Sequence, residues 1–316
     1  MARDKGRPQG YVPFLELYLR TRAEGGKVRV PGELRGPLDA RARTACLVLV
    51  HGFNNTDGQA GNSYLGFRRR QQAMSGLPPF TYDRYFGDTF WPGDANYWWF
   101  LDLADFLVYP LAVKRAPEAA REIVRLLRLL PNLQRVDFVA HSLGCRVVLE
   151  TLALLRDNPV PRVERVCLMA AAVPVEMLVP RGRFGNLLVQ LQADQTRVHV
   201  LHSTRDKVVF LAFPPGQALA GEPSMHALGR DGPNALMSGY GSTLTAQSVP
   251  SANHGDYWGH GENEASAMTT RYAGEFLTLG NAERVAGTPR PTVPPMDVPE
   301  GRELSAPRLA FARAVS

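Results

Sequence analysis

Ala45-Cys-Leu-Val-Leu-Val50 is an unbroken run of six apolar residues, followed at once by His51-Gly-Phe-Asn-Asn55. A strand with one wet face alternates apolar and polar residues. A continuous apolar run of strand length marks a strand buried on both faces, as in a parallel sheet covered on both sides. Parallel neighbours cannot be joined by a tight turn, so helices must lie between them. The rest of the chain fits that demand. Tyr82 to Trp91, Arg135 to Ala140, Val163 to Ala170 and Arg197 to Leu201 read as strands. Between them lie a polar helical segment reaching about Ser75, a helix opening at Ala116, a helix from Leu143 to Arg156 and one from Gly185 to Ala193. In the helix from Ala116, Ile123, Val124, Leu126, Leu127 and Leu130 form an apolar face against Arg121, Arg125 and Arg128. Pro117 suits its first turn and Pro131 stops it. A last helix is expected from about Glu264 to Leu277. The pattern predicts an α/β fold: a mostly parallel central sheet with helices on both faces.

The outer segments read differently. Residues 1–42 form an N-terminal arm or edge strand, with one alternating run from Tyr11 to Leu19, and residues 43–280 form the main domain. Two stretches inside it are candidate lid or pocket insertions. Residues 94–115 are dense in aromatic side chains, and residues 211–252 are rich in Gly, Pro and Ser and read as loop or lid. Residues 281–316 are Pro-rich and basic and read as a disordered tail.

The formal charge of +6 sits largely at the two ends, in Arg3, Lys5, Arg7, Arg284, Arg290, Arg302, Arg308 and Arg313. With no zinc-finger spacing and no aromatic-rich basic groove, it reads as solubility rather than as a nucleic-acid site. The most hydrophobic stretch, Tyr97 to Val113, contains Asp102, Asp105 and Pro110, so no membrane span is expected. The basic N-terminus has no apolar segment behind it, which argues against a signal peptide and for a cytoplasmic location. Cys46, Cys145 and Cys167 sit in apolar runs and read as buried free thiols.

The chemistry gathers at the ends of the strands. Ala140-His-Ser-Leu-Gly144 has a serine with small residues two positions to either side, between an apolar strand and an amphipathic helix. A serine on a sharp strand-to-helix turn needs such neighbours because the turn brings the two backbones together. Its hydroxyl then stands at a helix N-terminus, whose dipole favours developing negative charge. The bland alternative is a serine serving only as a helix N-cap. His51-Gly52-Phe53-Asn54 follows an earlier strand, as does the loop that supplies one backbone N–H of an oxyanion hole. Phe53, or else Asn54, would be that donor, and Leu143, next after the serine, the other. His254, in Asn253-His-Gly-Asp-Tyr-Trp258, is the candidate base, with His260 as competitor. Asp206, in the polar loop after the Arg197 strand, is the candidate acid, with Glu176 as fallback. The chain order Ser142, Asp206, His254 is that of a hydrolase triad.

His51-Gly-Phe-Asn-Asn55, Trp91-Pro92 and Ala140-His-Ser-Leu-Gly144 resemble the α/β-hydrolase superfamily, over roughly residues 44–278. Within it they look like a bacterial branch with a His-Gly-Phe/Tyr-Asn loop and an Ala-His-Ser-Met/Leu-Gly elbow. Ala140 departs from the glycine usual there. The resemblance implies a serine hydrolase with Ser142, Asp206 and His254 as triad and the amides of Phe53 and Leu143 as oxyanion donors. It implies no cofactor and no metal. The substrate would be a small ester or related acyl compound, with a hydrophobic group if the two insertions wall the pocket. Two rivals are weighed beside it. One is a binding or scaffold protein on the same fold. The other is a metal-dependent hydrolase using His254, Asp256, His260, Glu262 and Glu264.

Overall fold

A computed structural model of the chain describes residues 15–23, 25–37, 41–75, 85–93, 102–156, 161–233, 235–258 and 261–279. Eight strands form one sheet: β1 (Leu15–Arg20), β2 (Val28–Arg35), β3 (Ala45–Val50), β4 (Tyr85–Phe90), β5 (Arg135–His141), β6 (Arg162–Met169), β7 (Arg197–His202) and β8 (Leu244–Ser248). Their spatial order is β2-β1-β4-β3-β5-β6-β7-β8. Every neighbouring pair is parallel except β1 and β2, which are antiparallel. The described helices are α1 (Asp57–Ser75), α2 (Asp102–Arg128), α3 (Gly144–Leu155), α4 (Gly185–Ala193), α5 (Lys207–Leu219), α6 (Leu228–Asp231) and α7 (Glu264–Leu277).

The six residues of β3 explain why the sheet is covered twice. Cys46, Val48 and Val50 point into one core with Ala112, Ile123 and Leu127 of α2, Val147 of α3, Leu188 of α4 and Phe213 of α5. Leu47 and Leu49 point into a second core with Tyr64 and Phe67 of α1 and Ala273 and Leu277 of α7. Each fully buried Val or Leu here contributes about 1.5–3 kcal/mol, so the central strands hold their register firmly against local strain at their ends.

Three expectations are revised. β1 lies inside the sheet between β2 and β4, so the N-terminal segment does not supply an edge strand through β1; β2 is the edge. The helix expected from Ala116 begins earlier. Residues 94–101 fall outside the described residues, and from Asp102 the chain is one helix through Pro110 and Pro117 to Arg128. Ala112, Val113, Ala116, Ala119, Ala120 and Ile123 form a buried stripe running past Pro117. That packing outweighs a local cost of about 3 kcal/mol for an internal proline. Residues 211–252 are not a loop: they contain most of α5, all of α6, a 3₁₀ segment and β8. β8 escapes a sequence reading because it is an edge strand with only Leu244 buried. α5 is fixed to the body by Gln217 Nε2, which donates to Tyr109 Oη at 3.0 Å. Just beyond it, Glu222 takes a two-pronged ion pair from the buried Arg146. The expected tail, 281–316, lies outside the described residues.

Candidate functional site

β3, β5 and β7 run parallel, so the loops after them open at the same end of the sheet. Ser142 stands between β5 and α3 with φ of 54°, in the left-handed region. For a non-glycine residue that costs about 1–2 kcal/mol. The turn is held by its backbone: Ser142 N donates to Met169 O at 2.9 Å, and Ser142 O accepts from Cys145 N and Ala172 N, both at 3.1 Å. The small neighbours have a direct reason. A Cβ on Gly144 would lie 2.3 Å from His51 O and 2.7 Å from Val50 O, and one on Gly52 would lie 2.7 Å from Ser142 Cβ. The loop after β3 and the turn after β5 therefore touch through two glycines.

Asp206 is the N-cap of α5 and is fully buried. Its Oδ1 accepts from Val208 N at 3.1 Å and Val209 N at 3.0 Å, and its Oδ2 accepts from His254 Nδ1 at 2.8 Å. Burial opposes its ionisation. The His254 ring, the hydrogen bond to it and the Val209 amide outweigh burial and hold the carboxyl below its ordinary range. His254 follows β8, and Asp256 shapes its loop by accepting from Asn253 N at 2.8 Å and Asn263 Nδ2 at 2.9 Å. Asp206 and His254, 48 positions apart in sequence, are thus in direct contact. A parallel sheet covered by helices on both faces, with a serine on a left-handed strand-to-helix turn at the end of an inner strand, settles the architecture. The chain has the α/β-hydrolase fold.

Solved structures align with the chain only distantly. An uncharacterized protein from Bacillus cereus is 13% identical over 75% of this chain and 60% of its own, with a TM-score of 0.42. An esterase from Pyrobaculum calidifontis is 16% identical over 76% of each chain, with a TM-score of 0.41. Carboxyl esterase 2 from Tuber melanosporum is 12% identical over 89% of this chain and 95% of its own, with a TM-score of 0.42. No protein-family model and no curated protein matches the chain.

The loop of this α/β-hydrolase fold after β3 presents one amide selectively. Asn54 N donates to Gly93 O at 2.7 Å, whereas Phe53 N has no hydrogen-bond partner among the described residues. The same is true of Leu143 N, although Leu143 is fully buried. Buried amides are paired in the great majority of cases, so the unpaired N–H of the buried Leu143, next to the serine, is unusual. Among the described residues no hydrogen bond joins Ser142 Oγ to His254; such contacts in free enzymes often close only when substrate binds.

Glu176 accepts from Ser224 Oγ at 2.8 Å and is exposed. His260 falls outside the described residues, and no group of three or more possible metal ligands forms among the described ones. Cys46, Cys145 and Cys167 are buried and unpaired, and burial pushes the Cys167 thiol up to about 12. Among the described residues no helix is long and apolar enough to cross a membrane. A cavity of about 440 Å³ lined by Leu152, Val163 and Leu191 opens near the starting end of β6, opposite to Ser142.

Sequence reasoning missed two side chains. His141, just before Ser142, donates from Nε2 to His254 O at 2.8 Å, with the two rings 4.6 Å apart. It ties the loop of one candidate residue to the strand of another. Arg20 in β1 is fully buried and reaches the loop after β3. Arg20 carries no sequence signal, and His141 shows only as part of the Ala140–Gly144 pattern, with nothing there to reveal its contact with His254.

Proposed function

We propose that the chain is a serine hydrolase acting on carboxylic esters or related acyl compounds through Ser142, His254 and Asp206. The observation that carries the reading is the His254 Nδ1–Asp206 Oδ2 hydrogen bond of 2.8 Å, made at the sheet end where Ser142 stands on its left-handed turn. Asp206 accepts from Nδ1, which leaves Nε2 as the base. That nitrogen takes the Ser142 Oγ proton as the oxygen attacks the acyl carbon. The carbonyl oxygen becomes an oxyanion, and the amides of Phe53 and Leu143 donate to it. As the tetrahedral intermediate collapses, the alcohol leaves with the proton from Nε2 and an acyl-Ser142 ester remains. Water, deprotonated by His254, attacks that ester, and the acid is released with Ser142 restored.

The Phe53 ring, edge-on to Tyr109 at 5.4 Å, belongs to the loop that meets Ser142 through Gly52 and supports a hydrophobic acyl group. A fluorophosphonate probe is the test. It labels the wild type and leaves Ser142→Ala unlabelled; equal labelling of both refutes the assignment. An acyl-ester panel of increasing chain length then reads the pocket size.

A further inference from the structure

The Gly52–Phe53 peptide is the point at which the β3 loop meets Ser142, and a chain of buried polar contacts ends on it. Arg20 Nη2 lies 3.0 Å from His51 Nε2. Arginine can only donate, so Nε2 must accept and the ring proton must sit on Nδ1. Trp91 N also approaches Nε2, at 3.3 Å. His51 Nδ1 lies 2.8 Å from Gly52 O, which can only accept, and so receives the Nδ1 proton. Burial, and then the Arg20 charge, keep this imidazole neutral by pushing its pKa well below the usual histidine value. Gly52 O and Phe53 N–H are the two ends of one planar peptide and point in opposite directions. Fixing the carbonyl therefore aims the amide.

The rest of the loop is pinned as well. Arg20 Nη2 donates to Asn55 O at 2.5 Å, and Asn55 Nδ2 donates to Phe53 O at 2.9 Å. Arg20 is itself anchored by Asp57 at 3.1 Å and by Ala23 O at 3.1 Å, and Tyr18 Oη donates to Asp57 at 2.9 Å.

We infer that Arg20 and His51 are positioning residues that fix the tautomer of His51 and thereby the direction of the Phe53 N–H as oxyanion donor. The inference rests on the functional reading above. Its consequence is separable from simple packing, because the two ring nitrogens have different jobs. In His51→Asn the side-chain amide takes the place of Nδ1–H and can still donate to Gly52 O, but no group at position 51 accepts from Arg20, which keeps Asn55 O, Ala23 O and Asp57. In His51→Gln the side-chain oxygen takes the place of Nε2 and still accepts from Arg20, but Gly52 O loses its 2.8 Å donor and keeps only the long 3.4 Å contact from Asn55 Nδ2.

The test measures kcat and KM on a p-nitrophenyl ester, the inhibition constant of a trifluoromethyl ketone, and thermal midpoints. His51→Gln is the more stable variant, yet it loses about a hundredfold in kcat, with KM changed less than about threefold. Its affinity for the ketone, whose adduct carries the oxyanion, falls in step. His51→Asn is less stable and stays within about tenfold of the wild-type kcat. If activity instead ranks with stability, Gln above Asn, the relay is wrong. A second readout needs no variant: ¹⁵N spectra of the wild-type imidazoles should show His51 protonated on Nδ1 alone from neutral pH down to mildly acidic pH. A proton on Nε2 overturns the inference. Failure of the wild type to react with fluorophosphonate at Ser142 refutes the functional reading. Normal reaction combined with the wrong tautomer, or the wrong rank order, refutes the relay alone.

Discussion

The two oxygens of Asp206 do different work, and a pair of substitutions separates them. Oδ1 caps α5 through the amides of Val208 and Val209, while Oδ2 holds His254 Nδ1. Asp206→Asn keeps an oxygen for the cap but turns an NH₂ toward His254. Two donors cannot face each other, so the imidazole accepts at Nδ1 and carries its proton on Nε2, where the serine proton should go. In a Ser-His-Asp triad, an acid that enforces the wrong tautomer lowers kcat about ten-thousandfold. Asp206→Ala suffers the same loss in activity and also strips the cap, worth about 1 kcal/mol. For a domain of this size that difference lowers the thermal midpoint of the alanine variant by about 2–4 °C relative to the asparagine variant. Ester-hydrolysis kinetics with calorimetry on both variants is the assay. An asparagine variant within about tenfold of wild-type kcat would refute the orienting role. An alanine variant as stable as the asparagine one would refute the capping role.

Further outcomes follow from the same geometry. Because the folded carboxyl of Asp206 is held below its ordinary value of 3.8, its ionised form adds stability that is full above that value and is lost as pH falls through the folded value. Urea melts of wild type and Asp206→Asn from neutral pH downward should keep a constant gap until pH drops below 3.8, and then converge. Gly144→Ala places a methyl against His51 O and Val50 O, both backbone atoms. It should cost about 1–3 kcal/mol in chemical denaturation and lower kcat more than stability predicts. Ser142→Gly relieves the left-handed φ that Ser142→Ala keeps, so the glycine variant should be the more stable of the two inactive proteins by about 1 kcal/mol in the same assay.

The parts legible in the sequence were those where one physical signal dominates. β3 is apolar on both faces, β5, β6 and β7 each carry a run dense in apolar residues, and α4 and α7 have clear boundaries. β8 was hidden because an edge strand needs little burial, and the start of α2 because two prolines argued locally against a helix that tertiary packing upholds. In the site, Ser142 and Asp206 were legible as candidates because each follows a strand whose end can be read from a hydrophobic run, and His254 because it stands just ahead of the last helix. The choice between Phe53 and Asn54 could not be made from sequence, since both amides look alike until Gly93 O is seen to engage one of them. Arg20 has nothing in its own sequence neighbourhood to single it out. Only the pairing of β1 with β4 carries it beneath the His51 loop.

β8 joins the sheet through β7 alone, and His254 lies beyond it. Synthesis runs from the N-terminus, so a nascent chain acquires the serine turn and the aspartate helix well before it acquires the imidazole they await. Until the last strand docks, the proposed nucleophile has no general base and remains an ordinary alcohol. On the proposed reading, the order of the chain withholds the base from the hydroxyl until β8 and the loop after it are in place.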